Sequence, residues 1–163
     1  MTVQDTSPAD VSAEELDALL AAARALVAVA IASVVELEDQ LPLTQFRALV
    51  VLVEEGPINA TVLAGKLAIN PSSVTRLADR LIADGLLRRA QNPLNRREVL
   101  LAPTTRGRRT VDRVMARRRA DLAKILGELS ATDRTATATA LRRFADAAAR
   151  FPTPPLPAGW PFA

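Results

Sequence analysis

A mainly α-helical fold carrying one small β-hairpin is what this sequence predicts. Three observations lead there. Apolar residues recur at helical spacing through most of the chain, helix caps stand ahead of those runs, and the pattern changes only between Leu86 and Leu101. In that interval Leu86-Leu87-Arg88-Arg89 and Arg97-Glu98-Val99-Leu100-Leu101 read as short strands around Ala90–Arg96, a segment rich in turn formers. The 163 residues suit one domain or one obligate protomer, and 49% apolar with 24% charged residues is a soluble globular composition.

The elements follow in order. Residues 1–11 are polar and read as a flexible start. Ser12 and Glu15 form a capping box. Leu16, Leu19, Leu20, Ala23, Val27, Ala30, Ile31 and Val34 then mark a helix running to about Asp39, closed by Pro42. A second helix spans Thr44 to Glu55, with Phe46, Leu49, Val50 and Val53 inward and Gly56-Pro57 as its stop. Asn59 caps a short third helix with Val62, Leu63 and Leu67. Asn70 is a strong N-cap and Pro71 suits the first helical position, so a fourth helix starts there. It buries Val74, Leu77, Ala78, Leu81 and Ile82, shows Ser72, Ser73, Thr75, Arg76, Asp79 and Arg80, and ends at Gly85. After the hairpin, Thr104 caps a long helix to about Glu128, with Val111, Val114, Met115, Leu122, Ile125 and Leu126 on one side. Ser130 caps a last helix whose Leu141, Phe144 and Ala148 face inward. Five prolines between residues 152 and 163 make an extended tail.

Composition excludes much chemistry. The chain has neither cysteine nor histidine, so disulfides, thiolate metal sites, thiol redox sensing and Cys or His catalysis are absent. No metal or cofactor is expected, and Lys66 and Lys124 lack an evident nucleophile partner, so an enzyme is not expected either. Five aromatic residues are too few for a stacking platform on single strands. Ala18–Val35 holds only Arg24 as a charge, near the lower limit for a membrane span. Its weakly apolar alanines, Arg24 and the acidic residues ahead of it point instead to a helix buried on most sides, as in an oligomer core. The expected address is cytoplasmic, with no membrane partner.

Charge is segregated. Residues 1–55 carry ten acids and two bases, a balance of −8. Residues 56–119 carry fourteen bases, thirteen of them arginine, and four acids, a balance of +10. Arginine's planar fork suits phosphates and guanine edges. A basic middle behind an acidic front suggests a polyanion-binding part set in a larger scaffold.

The middle of the chain reads helix, short helix, turn, amphipathic helix, then basic hairpin: a helix-turn-helix with a wing. A helix fits the major groove of duplex DNA, and short polar residues at its start reach base edges. Ser72, Ser73, Thr75 and Arg76 stand there, with Arg80 one turn on. Thr75 can meet a thymine methyl and Arg76 can fork onto guanine. Arg96 and Arg97 at the hairpin tip can enter the adjacent minor groove, and Arg88 and Arg89 at its base can hold phosphates. Taken singly, each of these is an ordinary cap or a solvated charge; their order makes the signal specific. A winged protein-interaction module that no longer binds DNA is the alternative reading.

Leu43-Thr44-Gln45-Phe46-Arg47-Ala48-Leu49, Leu63-Ala64-Gly65-Lys66-Leu67, Ser73–Leu81 and Asp84-Gly85-Leu86-Leu87-Arg88-Arg89 follow one another. Together they resemble the multiple-antibiotic-resistance-regulator (MarR) family of bacterial transcription factors, over roughly residues 12–150. That family's wing usually reads Asp-Pro-x-Asp-x-Arg, whereas this chain has Asn92-Pro93-Leu94-Asn95-Arg96-Arg97, with both acids replaced by amides. The resemblance implies a winged helix-turn-helix over 43–104 and a helical dimerisation region over 12–42 and 105–151. It makes Arg97 the minor-groove arginine, Asp79 an acid that braces wing arginines, and Asn95 part of the DNA-contacting wing. It implies a homodimeric repressor on a pseudo-palindromic operator, relieved by a small aromatic or anionic effector. The effector would bind among the first, second and fifth helices, where Arg47 or Arg113 could meet an anion. Arg117, Arg118 and Arg119 are expected to be solvated or paired with acids of the front segment.

Overall fold

The computed structural model describes residues 11–35 and 41–150. The N-terminal start, the end expected for the first helix at Asp39 and the Pro-rich tail lie outside them. The order is α1 (Ala13–Val35), α2 (Leu43–Glu55), α3 (Ala60–Leu67), α4 (Pro71–Ala83), β1 (Leu87–Gln91), β2 (Val99–Pro103), α5 (Thr105–Gly127) and α6 (Ala131–Ala148). The mainly helical class with one two-stranded sheet is as the sequence predicts.

The caps explain why the helices begin where they do. Glu15 N–H donates to Ser12 Oγ at 3.2 Å and Ser12 N–H donates to the Glu15 carboxylate at 2.8 Å, so each satisfies the other. Asn59 Oδ1 accepts from Val62 N–H, Thr104 Oγ1 from Gly107 N–H, and Ser130 Oγ from Asp133 N–H. Asn70 differs from expectation. It occupies the N-cap position with extended backbone, but its side chain makes no capping bond. Pro71 at the first position already removes one N–H that would need a partner. Gly85, at φ 69°, closes α4 in the left-handed conformation, with Leu86 N–H donating to Leu81 O at 2.8 Å.

One core unites α2, α3, α4, the sheet and the first half of α5. Leu49, Leu52, Leu63, Val74, Leu81, Leu87 and Val114 are almost fully buried within it. Leu77 and Ala78 are buried too, and Ile82 packs against the cluster from its edge. β1 and β2 pair antiparallel with Leu87 opposite Pro103 and Gln91 opposite Val99. Both strands are shifted by one or two residues from the expected Leu86–Arg89 and Arg97–Leu101: at the far end Leu87 pairs with Pro103, and at the turn the strands end at Gln91 and begin at Val99. Asn95 O accepts from Glu98 N–H at 2.9 Å, which draws Arg97 and Glu98 into the turn and leaves Ala90 and Gln91 to pair. A bridge from Ile58 to Leu101 ties the approach to α3 onto β2.

The outer helices are less covered than expected. By length and hydropathy α1 could cross a membrane. In the fold its last turns pack on α5, with Ala30, Ser33 and Val34 buried, while Leu16, Leu19, Leu20 and Ile31 are exposed on the single chain. No residue of α6 is buried, so Leu141 and Phe144 do not face inward within one chain. Ile125 and Leu126 of α5 are exposed as well.

α5 is seated tightly at its start. A Cβ added to Gly107 would lie 2.3 Å from Leu86 O and 3.1 Å from Leu49 Cδ1. Gly107→Ala is therefore expected to destabilise the fold by about 1–3 kcal/mol through overpacking, despite alanine's better helix propensity. Urea unfolding measures this; an unchanged or raised midpoint would contradict the close approach.

Candidate nucleic-acid interface

The apolar residues of α4 face the core, so its polar side projects. Ser72, Thr75, Arg76 and Arg80 are exposed and Ser73 is half-buried. Among the described residues, nothing covers the helix's first turn: Pro71 and Ser72 are open to solvent. Thr75 Oγ1 donates to Pro71 O at 3.2 Å, which commits its hydroxyl to the helix backbone. Arg76 and Arg80 border a shallow recess that reaches the N-terminal end of α2 at Pro42 and Thr44.

The wing stands beside this helix. Arg88 and Arg89 are exposed on β1, and Arg96 and Arg97 are exposed in the turn, next to Leu94, which is 96% exposed. The tip does not fold back on the body. Arg89 Nη2 lies 2.7 Å from Asp79 Oδ1, linking β1 to α4. The acid expected to brace wing arginines thus holds one at the wing's base and not at its tip. Both side chains are more than half exposed, so this pair contributes at most about 1 kcal/mol. Asn95 acts locally. Its Oδ1 accepts from Arg97 N–H at 3.2 Å and shapes the turn that carries the tip arginines.

Sequence reasoning gave Glu98 no role, yet it sits at the centre of the wing's attachment. One carboxylate oxygen accepts from Asn59 Nδ2 and the other from Asn92 Nδ2. These two bonds, the first above all, hold the Glu98 carboxyl below its ordinary pKa. The available signal was an isolated acid in an arginine-rich stretch: between Gly85 and Val111 the chain has no other.

The expected ligand residues part company. Arg113 lines an open cavity of about 1010 Å³ with Leu41, Asp84, Leu86, Arg106 and Arg109. Its walls come from the end of α4, the link to β1 and the first turns of α5, so α1 is not among them. Arg47 is buried in α2 and is not part of the lining; burial pushes its guanidinium pKa down. Arg118 also departs from expectation. Its Nε donates to Ser33 Oγ on α1 at 3.2 Å, so it meets the front segment through a hydroxyl. Arg119 is exposed; the Asp121 carboxyl is held below its ordinary pKa chiefly by the hydrogen bond from Lys124 Nζ, with the charge of Arg117 adding to it. Among the described residues, no group of three or more Asp or Glu side chains is placed to hold a metal ion.

An amphipathic helix projecting its polar face beside an arginine-tipped wing defines the winged helix-turn-helix class of DNA-binding proteins. The family model described as MarR family matches residues 41–99. The HTH-type transcriptional repressor MdtR of Bacillus subtilis (strain 168) is 31% identical over 97 residues, and the match spans 60% of this chain but only 63% of MdtR. The crystal structure of RV1404 from Mycobacterium tuberculosis superposes with a TM-score of 0.75 at 38% identity, covering 86% of this chain and 97% of that one. BpsR of Bordetella bronchiseptica, whose DNA binding is regulated by 6-hydroxynicotinic acid, gives a TM-score of 0.53 at 26% identity over 86% and 99%. This chain belongs to the MarR family, a family of transcriptional regulators and not of enzymes.

The Glu98 geometry predicts a titration. A carboxyl with a depressed folded-state pKa keeps its bonds at neutral pH and loses them as pH falls through that depressed value. Side-chain amide NMR signals of Asn59 and Asn92 should therefore shift together, with a midpoint below the ~4.3 of an ordinary glutamate. Separate midpoints, or one at or above that value, would contradict the shared carboxylate.

Proposed function

We propose that this chain is a homodimeric, sequence-specific DNA-binding regulator, and that it represses transcription by occupying its operator. The observation that carries the reading is the uncovered first turn of α4 beside the exposed Arg96 and Arg97. α4 enters the major groove, with Ser72, Ser73, Thr75, Arg76 and Arg80 over bases and phosphates. Thr75, its hydroxyl committed to the helix, turns its methyl toward thymine, and Arg76 forks onto guanine. Arg97, with Arg96, enters the neighbouring minor groove, and Arg88 holds phosphate. Arg89 contributes charge while anchored to Asp79.

Dimerisation is supported by the apolar residues left exposed on α1, α5 and α6, among them Leu20, Ile125 and Phe144. The dimerising part then comprises residues 12–42 and 105–151, and the DNA-binding part residues 43–104. A two-fold pair places the two α4 helices about one DNA turn apart, ~34 Å, and so selects a pseudo-palindrome. A DNA-binding repressor of this kind works in the cytoplasm. For the effector, the cavity beside Arg106, Arg109 and Arg113 suits a small anion, in the manner of the compound that regulates BpsR.

Binding of the full chain to its own upstream DNA, followed by fluorescence anisotropy, tests the reading. Arg76→Ala should cost ~1–3 kcal/mol, mainly at one base position, and Arg97→Ala should weaken binding with little dependence on sequence. The log–log salt slope should be near −0.9 per phosphate contacted. Absence of binding, salt-independent binding, or wild-type affinity in both variants would overturn it and leave the interaction-module alternative.

A further inference from the structure

We propose that Glu98, held between Asn59 and Asn92, is the positioning residue that locks the wing to the helix-turn-helix, and that position 92 carries an amide because this carboxylate needs a donor there. The inference rests on the duplex-binding reading and names what sets the reach of its minor-groove arginines.

The geometry leaves each asparagine one orientation. Asn59 Oδ1 accepts from Val62 N–H at 2.8 Å to cap α3, so its Nδ2 is the end that faces Glu98. Asn92 Oδ1 accepts from Leu94 N–H at 2.9 Å inside the wing turn, so its Nδ2 likewise faces Glu98. Every polar end in the chain of three is used, and Glu98 lies 39 positions along the chain from Asn59. Bonds to an ionised acceptor are roughly twice as strong as neutral ones. The backbone adds a second tie, Leu101 N–H to Ile58 O at 2.8 Å, so the wing is fixed to the approach to α3 at two levels. Arg96 and Arg97 come immediately before Glu98, so this tie sets where they stand relative to α4.

An aspartate at position 92, as in the family's usual wing, would keep the bond to Leu94 N–H but set a second carboxylate against Glu98. The departure from that motif and the isolated acid therefore explain each other. An acid close to the phosphate-binding arginines opposes DNA electrostatically, and its two half-buried amide partners give it a structural reason to be there.

Three full-length variants test this by duplex affinity and by the rate of tryptic cleavage after Arg96, at a bond that position 98 does not form, which reads wing order without DNA. Asn92→Asp should weaken binding about tenfold or more, the loss of one charge-assisted bond, and speed cleavage. Asn92→Asp combined with Glu98→Gln reverses donor and acceptor at unchanged net charge and should restore both readouts to within about twofold of wild type. Glu98→Gln alone separates geometry from charge: removing an acid would tighten binding if charge alone mattered, whereas loss of one acceptor should speed cleavage and leave binding no tighter. The proposal is overturned if Asn92→Asp matches wild type in cleavage, if the double variant stays as impaired as the single one, or if Glu98→Gln binds more tightly with unchanged cleavage. Should the wild type bind no duplex, the functional reading fails, and the cleavage rates still decide whether the wing is locked.

Discussion

The fold's capacity to meet a nucleic acid depends on how one helix is rolled against the core. Val74, Leu77, Ala78 and Leu81 follow the spacing of a single helical stripe, and all four are buried. Each large apolar side chain among them contributes about 1.5–3 kcal/mol by leaving water. The ion pair that ties α4 to the wing, Asp79 with Arg89, is exposed and contributes about 1 kcal/mol at most. Packing therefore outweighs surface charge in setting the roll of α4. Serines, threonine and arginines project because the opposite stripe is taken.

The same division of labour runs through the basic segment. Its arginines are mostly solvated. They add little to folding and supply attraction for a polyanion. In the wing, the ties that give them definite positions are polar: Asp79 to Arg89 at the wing's base, Asn95 to the Arg97 backbone in its turn, and Glu98 between two amides. Charge and geometry are thus carried by different residues, which can be altered separately.

Much of this is legible in the sequence because it is local. Ser12 with Glu15, Asn59, Thr104, Ser130 and Gly85 act within a few residues, and each does what its position implies. The polar face of α4 is legible because period alone separates it from the core. What escapes depends on distance or on competition. Asn70 has the right type for a cap, but its side chain makes no such bond. The strand ends at the turn differ because Asn95 recruits two N–H groups that a simple hairpin would pair elsewhere. Arg47 has the sequence character of a surface cation, and only the packing of α2 turns it inward. Asn59 and Glu98 are too far apart in sequence for spacing to connect them, and an isolated acid among arginines is the only trace. The apolar stripe of α1 is visible as a stripe, but its single-chain exposure can be seen only once α5 is in place.

The junction at the start of α5 has a mechanical consequence. Thr104 Oγ1 both donates to Gly85 O at 2.7 Å and accepts the Gly107 N–H in the first turn of α5, while Gly107 lets that helix touch the Leu86 backbone. The end of α4, the root of the wing and the front of α5 therefore share one joint with no slack. Through this joint the axis of α5 and the stance of the wing are geometrically linked, like two arms of one bracket.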